Sequence, residues 1–251
     1  AVSEITPYKI WFAVVVISTV SYLSYLLKKY VFKKSGILIS GILGGLYSST
    51  ATTLILAKKS REAGVMKNNY ASAIIFATAM MYLRIAILML IFNAAMFRNS
   101  FVFLLIMLLL TVVIGAIVYF YQHKEEESAA IATIKDKNPL EFKVALLFMV
   151  LFVAFTFVTY YAVKYFGDMG LNVISIIVGV TDIDPFLISI FQGKINTSVD
   201  VLTRVSFQAI ISNNILKLVY SLIFADRKIR MPILIAFLII IVINILLLFF
   251  I

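Results

Sequence analysis

Gly44-Gly45-Leu46-Tyr47-Ser48-Ser49-Thr50-Ala51-Thr52-Thr53 and Gly179-Val180-Thr181-Asp182-Ile183-Asp184-Pro185 decide how this chain is read. Each interrupts an apolar run of membrane-spanning length, 35–57 and 171–192, with glycine and polar side chains near its middle. At bilayer depth no water satisfies backbone or side-chain polar groups, so such a stretch must be satisfied inside the protein. Ordinary spans avoid that cost. Both stretches are therefore expected to be breaks in a membrane helix, with Gly44, Gly45, Gly179 and Pro185 as the breaking residues.

The rest of the chain agrees with a membrane setting. Of 251 residues, 63% are hydrophobic and only 14% charged, too little polar surface to cover a soluble domain of this size. Charges divide the sequence into eight apolar runs: 10–27, 35–57, about 70–97, 101–121, 144–163, 171–192, about 201–224 and 232–251. Roughly 20 apolar residues cross a hydrocarbon core, so the fold class expected is an all-α polytopic membrane protein of about eight transmembrane helices. Trp11 beside Tyr8 suits an interfacial anchor. There is no cysteine and one histidine, His123, which removes disulfides, thiolate metal sites and serine–histidine catalysis. No nucleophile–base pair is recognisable, and an enzyme is not expected. The net charge of +10 comes from short basic clusters between apolar runs, a pattern for lipid headgroups rather than nucleic acid.

The halves repeat. A shift of 134 residues lays Lys9 on Lys143, Gly36 on Gly170 and Gly45 on Gly179; with small gaps, Arg84 falls on Lys217 and Arg98 on Arg230. The order of these matches points to duplication, giving a first four-helix repeat at 1–121, a polar linker at 122–142 and a second repeat at 143–251. Four spans per unit is even, so the two repeats are expected to run parallel, with the second helix of each broken near mid-membrane. Basic residues on that topology divide ten to the N-terminal side and nine to the other, which sets no orientation; the longest loop leans toward a cytoplasmic N-terminal side.

The chemistry concentrates at the two breaks. Asp182 and Asp184 are carboxylates at bilayer depth, Asp184 is expected to cap a new half-helix with Pro185 at its first position, and Asp182 aligns with Ser48. Arg84 and Lys217 lie deep in their spans and are expected to balance the two aspartates. Asn213 and Asn214 share a helix face with Lys217. Ser48, Ser49, Thr50 and Thr181 add oxygen ligands. Oxygen donors without usable nitrogen or sulfur favour Mg²⁺, Na⁺ or H⁺, bound as substrate rather than as a resident cofactor. Plainer readings stand beside this one. Small residues at Gly44 and Gly45 also serve close helix packing, and the four charges also make structural ion pairs. A cation near a span end also snorkels to the interface. The methionines are expected in packing or facing lipid.

The stretch 44–53, followed by Lys58-Lys59-Ser60-Arg61-Glu62, resembles the C-terminal membrane domain of the longer MgtC/SapB-type proteins. Asn138-Pro139, Gly167-Asp168, the 179–184 stretch and Ser212-Asn213-Asn214 with Lys217 fit the same pattern in order. The resemblance implies a multi-pass protein of a prokaryotic cytoplasmic (inner) membrane, with the MgtC-like domain of longer members lying outside this chain. Three functions remain open: a small-cation transporter or channel with its site between the breaks, an anion transporter using half-helix N-termini with Arg84 and Lys217, or a non-transporting regulatory module that binds a partner. Membrane lipids, a small ion, further copies in a homo-oligomer and an MgtC-like domain are the partners this allows.

Overall fold

The computed structural model describes residues 6–32, 36–62, 68–122, 142–179, 182–192 and 197–250. The linker expected at 122–142, His123 within it, and Thr181 lie essentially outside these residues. The described chain forms eight α-helices and no strand. They are α1 (Pro7–Leu26, extended by a π-helical turn Leu27–Val31), α2 (Ile37–Ser60), α3 (Asn68–Phe92), α4 (Ala94–Gln122), α5 (Phe142–Val178), α6 (Ile183–Gln192), α7 (Val199–Phe224) and α8 (Arg227–Leu248). Among them seven are long and apolar enough to cross a membrane, α6 being too short.

Capping side chains set several boundaries. Thr6 accepts from the Lys9 N–H with Pro7 at the first helical position, Ser198 accepts from Val201, and Asp226 accepts from Lys228. The α3–α4 turn is a single residue, Asn93, whose side chain accepts from the Met96 N–H at 3.1 Å. It falls earlier than the charge pattern suggests, because an Asn cap ends a helix where hydropathy alone would run it on to 97.

Two of the long helices reverse direction. Inside α2, Ser48 is extended (φ −158°, ψ 106°). Gly44 and Thr52 then face each other so closely that a Cβ on Gly44 would lie 2.7 Å from Thr52 Oγ1. In a straight helix eight residues span about 12 Å, so the chain has folded back at Ser48. The first limb, 37–47, runs in the same direction as α3, with Gly41 on Ala73 and Gly45 on Ala77 at distances only glycine permits. The second limb returns to Ser60, whose hydroxyl accepts from the Asp226 N–H at 2.9 Å. Ile37, Ala57, Tyr70, Ala225 and Ile229 share one apolar cluster, so both ends of α2 lie at the same end of the bundle. It is the end where α4 finishes and α5 begins, here the linker end.

α5 breaks at Gly167, whose φ of +57° glycine accepts readily. Beyond it the limb 168–178 turns back, with Gly170 against the Ala162 carbonyl. This limb runs beside α7 in the same direction: Ser175 Oγ donates to Gln208 Oε1, Ser212 Oγ to the Ile176 carbonyl and Asn213 Nδ2 to the Gly179 carbonyl. The chain then reverses between Gly179 and Asp182, and α6 runs back out to Phe191, whose carbonyl accepts from Asn93 at 3.4 Å. Thr197 Oγ1 donates to Asp168 Oδ1 at 2.8 Å and closes the base of this second hairpin, at the end opposite the linker.

Among the described residues six helical segments therefore cross the bundle: α1, α3, α4, the limb 142–166 of α5, α7 and α8. Two helical hairpins, 37–60 and 168–192, enter from opposite ends and meet halfway. The runs 35–57 and 171–192 do not cross as expected, because hydropathy records the length of apolar chain and not its direction. The parallel relation between halves does not fit these contacts either. The chain up to 122 crosses three times, an odd number, so the segment from 142 starts at the end opposite to residue 7.

Candidate functional site

The two tips meet because α3 and α7 each place one polar residue between them. Arg84 on α3 is 6% exposed. Its Nη1 donates to the Tyr47 carbonyl of the first tip at 2.6 Å, while Nη2 lies 2.7 Å from Asp184 Oδ2 of the second. Asn213 on α7 does the reciprocal work, donating to the Gly179 carbonyl at 3.2 Å and meeting Thr50 Oγ1 at 3.3 Å. The carbonyls that end the two inward limbs are thus both occupied, one by a guanidinium and one by an amide.

A small cavity lies between the tips. Ser48, Ser49 and Thr50 line it from the first hairpin, Asp182 and Asp184 from the second, Arg84 and Met81 from α3, and Asn213 from α7. Gly45 also borders it; Gly44 instead packs inside its own hairpin, and Gly179 packs on Ser212 and Asn213. Both outward limbs start at this cavity with capped N-termini. Ser48 Oγ accepts from the Ala51 N–H at 3.4 Å, and Asp182 Oδ1 accepts from the Asp184 N–H at 3.3 Å. The cap of α6 is Asp182 and not Asp184, two residues earlier than expected. Pro185 sits third in the helix, where its missing N–H has no carbonyl to meet in any case. That shift leaves the Asp184 carboxylate free to pair with Arg84.

The four charges are not used alike. Asp184 and Arg84 form a buried ion pair, each side chain 7% exposed. Asp182 is exposed to the cavity. Lys217 is fully buried and lies off the cavity wall, donating to Met81 Sδ at 3.0 Å; the expected pairing with a carboxylate is absent among the described residues. Asn214 also turns away from the cavity. Its Nδ2 donates to the Tyr82 hydroxyl at 2.9 Å, which accepts as well from Asn244 at 3.0 Å. Sequence reading missed Met81, Tyr82, Asn244 and the Tyr47 carbonyl. Asn244, alone and polar in the last apolar run, carried a usable signal. Met81 was read as packing, and a backbone carbonyl gives no signal at all.

Hydroxyls, one ion-paired carboxylate and one open carboxylate thus line the cavity, an oxygen-rich wall without nitrogen or sulfur ligands of the His or Cys kind. Among the described residues no three His, Cys, Asp or Glu side chains come together, so the negative charge available is modest.

Helices of spanning length and apolar composition around an internal polar site define a multi-pass α-helical membrane protein. The chain belongs to the family DUF4010, described as a domain of unknown function, which it matches over residues 15–225. It is similar to a protein of Aquifex aeolicus (strain VF5) described as uncharacterized, at 28% identity over 203 residues, 79% of this chain and 87% of the relative. No solved structure matches. Neither match bears on the MgtC/SapB resemblance.

Proposed function

We propose that this chain is a secondary transporter for a small cation, with the ion held between the two hairpin tips. The observation that carries this reading is Asp182. Its carboxylate opens on the cavity while the guanidinium beside it is already engaged by Asp184 and the Tyr47 carbonyl. Ser48, Ser49, Thr50 and the Asn213 amide supply neutral oxygens around the same space, and Thr181 belongs to the same tip in sequence. Anion transport is less well supported. Arg84 is spent on Asp184, and Lys217 lies behind Met81.

The segments 1–121 and 143–251 are read as duplicated units of inverted topology, each with three crossings and one hairpin. Their pseudo-twofold axis then lies in the membrane plane, the arrangement by which many transporters expose one site alternately to two sides. Orientation follows from the same topology. Connections at the linker end carry Lys28, Lys29, Lys33 and Lys34, then Lys58, Lys59, Arg61 and Lys67, then Lys124, Lys135, Lys137 and Lys143, then Arg227, Lys228 and Arg230. The opposite end carries Lys9, Arg98, Lys164 and Lys194. A division of fifteen against four, counted along the sequence, supports a cytoplasmic linker end, where the eight-span topology divided the same residues almost evenly. A prokaryotic inner membrane and an MgtC-like partner domain belong to this proposal through the family resemblance.

The test is ion flux into proteoliposomes over a panel of cations and anions, for wild type, Asp182→Asn and Asp182→Asn/Asp184→Asn. Cation-selective flux abolished by Asp182→Asn supports the reading. Anion flux that survives both variants overturns it, and a folded protein carrying no ion favours the partner-binding module.

A further inference from the structure

Lys217 is the group the proposed site leaves unexplained. It sits in the C-terminal third of α7, fully buried. An ammonium held out of water is expensive unless a carboxylate compensates it. Among the described residues no carboxylate oxygen lies within the 4.0 Å of an ion pair. Asp184 and Asp182 act on it only through space. What touches it is the sulfur of Met81, and Met81 is also part of the cavity wall. One flexible, unbranched side chain therefore touches both the lysine and the cavity that the aspartates line.

The amide cluster that begins one turn before Lys217 holds uncommitted acceptors. Asn214 lies three residues before the lysine on the same face of α7, and with Asn244 it donates to the Tyr82 hydroxyl. The carbonyl oxygens of both amides, Asn214 Oδ1 and Asn244 Oδ1, are buried without a hydrogen-bond partner. An amide oxygen accepts an N–H from an amine whether the amine is protonated or neutral.

The charge count gives this arrangement a purpose. Arg84 and Asp184 cancel as an ion pair, leaving Asp182 against Lys217. The empty site is neutral with Lys217 protonated, and a monovalent cation on Asp182 would raise it to one positive charge in a medium that tolerates none. We propose that Lys217 is the exchange group of this site: docking of a monovalent cation at Asp182 expels one proton from Lys217, so that the protein trades a monovalent cation for H⁺. The N–H bond of the ammonium breaks, the electron pair stays on Nζ, and the proton leaves past Met81 through the cavity. One charge enters and one departs. The charged and titratable groups around Lys217 are Asp182 and Asp184 at the second tip, with Arg84 and Tyr82 within a turn of Met81 on α3. From α8 the Asn244 amide joins the Tyr82 network and Arg230 lies near the α7–α8 turn, where its Nε donates to the Ala225 carbonyl, and the first hairpin presents hydroxyls at its tip.

This inference rests on the cation reading of the site, and the experiment separates the two. Purified protein in weakly buffered detergent is titrated with NaCl, LiCl or KCl against choline chloride, following heat and, with a pH dye, proton release. Wild type is expected to release about one proton per cation bound, with affinity weakening about tenfold for each pH unit of acidification. Lys217→Met and Lys217→Gln are expected to bind the cation with no proton released and no pH dependence. Proton release that persists unchanged in these variants assigns the proton to a carboxylate and overturns the inference, as does wild-type binding without release. If folded wild type binds none of the three cations at any pH, the cation site itself falls.

Discussion

Arg84 holds both tips at once, so its loss reaches further than one ion pair. Removing a single partner of a buried pair strands the other charge and costs about 3–5 kcal/mol. Arg84→Gln is therefore expected to lower the thermal unfolding temperature in detergent sharply. Arg84→Gln/Asp184→Asn, which strands no charge, is expected to recover a large part of that loss. Equal unfolding temperatures for the single and double variants would show that Asp184 does not depend on Arg84. Asp182→Asn is expected to leave stability nearly unchanged, because an amide oxygen still accepts from the Asp184 N–H and no partner is stranded. Function, not fold, is where Asp182 should register.

Between residue and molecule stand the hairpins, and they depend on close contact with a neighbouring helix, the first with α3 and the second with α7. A Cβ on Gly45 would lie 2.5 Å from the Ala77 Cα, a backbone atom that cannot swing aside. Gly45→Ala is expected to destabilise by about 1–3 kcal/mol, the usual cost of overpacking. Gly36→Ala, with open space around it, is expected to change stability by under about 0.5 kcal/mol. Equal effects at the two positions would contradict the packing of the first limb on α3. Sequence located these elements better than it oriented them. Residue type locates the breaks only to within about a turn. Gly44 and Gly45, expected to break the first run, lie inside the first limb and the chain reverses at Ser48, and the second reversal falls before Asp182 rather than at Asp184–Pro185. Whether a helix continues or returns after a break is decided by the neighbour it packs on, and a hydropathy run carries no such information. Gly167 shows the limit: its left-handed conformation turns the second hairpin, yet in the sequence it is one glycine in an ordinary-looking loop. At the site, the carboxylates and cations were legible as deep charges. That Asp184 pairs with Arg84 while Lys217 meets a methionine sulfur depended on a two-residue difference in the α6 cap.

For the molecule as a whole the contact pattern makes a topological prediction that eight spans would not. The chain lacks cysteine, so single cysteines can be placed without background. Gly36→Cys, Glu62→Cys and Arg227→Cys are expected to react with a membrane-impermeant thiol reagent from one face, the cytoplasmic one, and Asn99→Cys from the other. Eight crossings would put positions 36 and 62 on opposite faces, so that outcome would remove the first hairpin. Where the tips meet has an electrical consequence. On the proposed cation reading, an ion on Asp182, about halfway along the bundle, would have about half the membrane potential on either side of it. Carrying unit charge through the whole potential is worth about 2.3 kcal/mol per 100 mV. Loading from one face is then worth about half of that, roughly a sevenfold change in occupancy per 100 mV. If the proposed transport holds, the voltage across the membrane would in this sense be a second ligand of the site, acting through the depth at which two short helices stop.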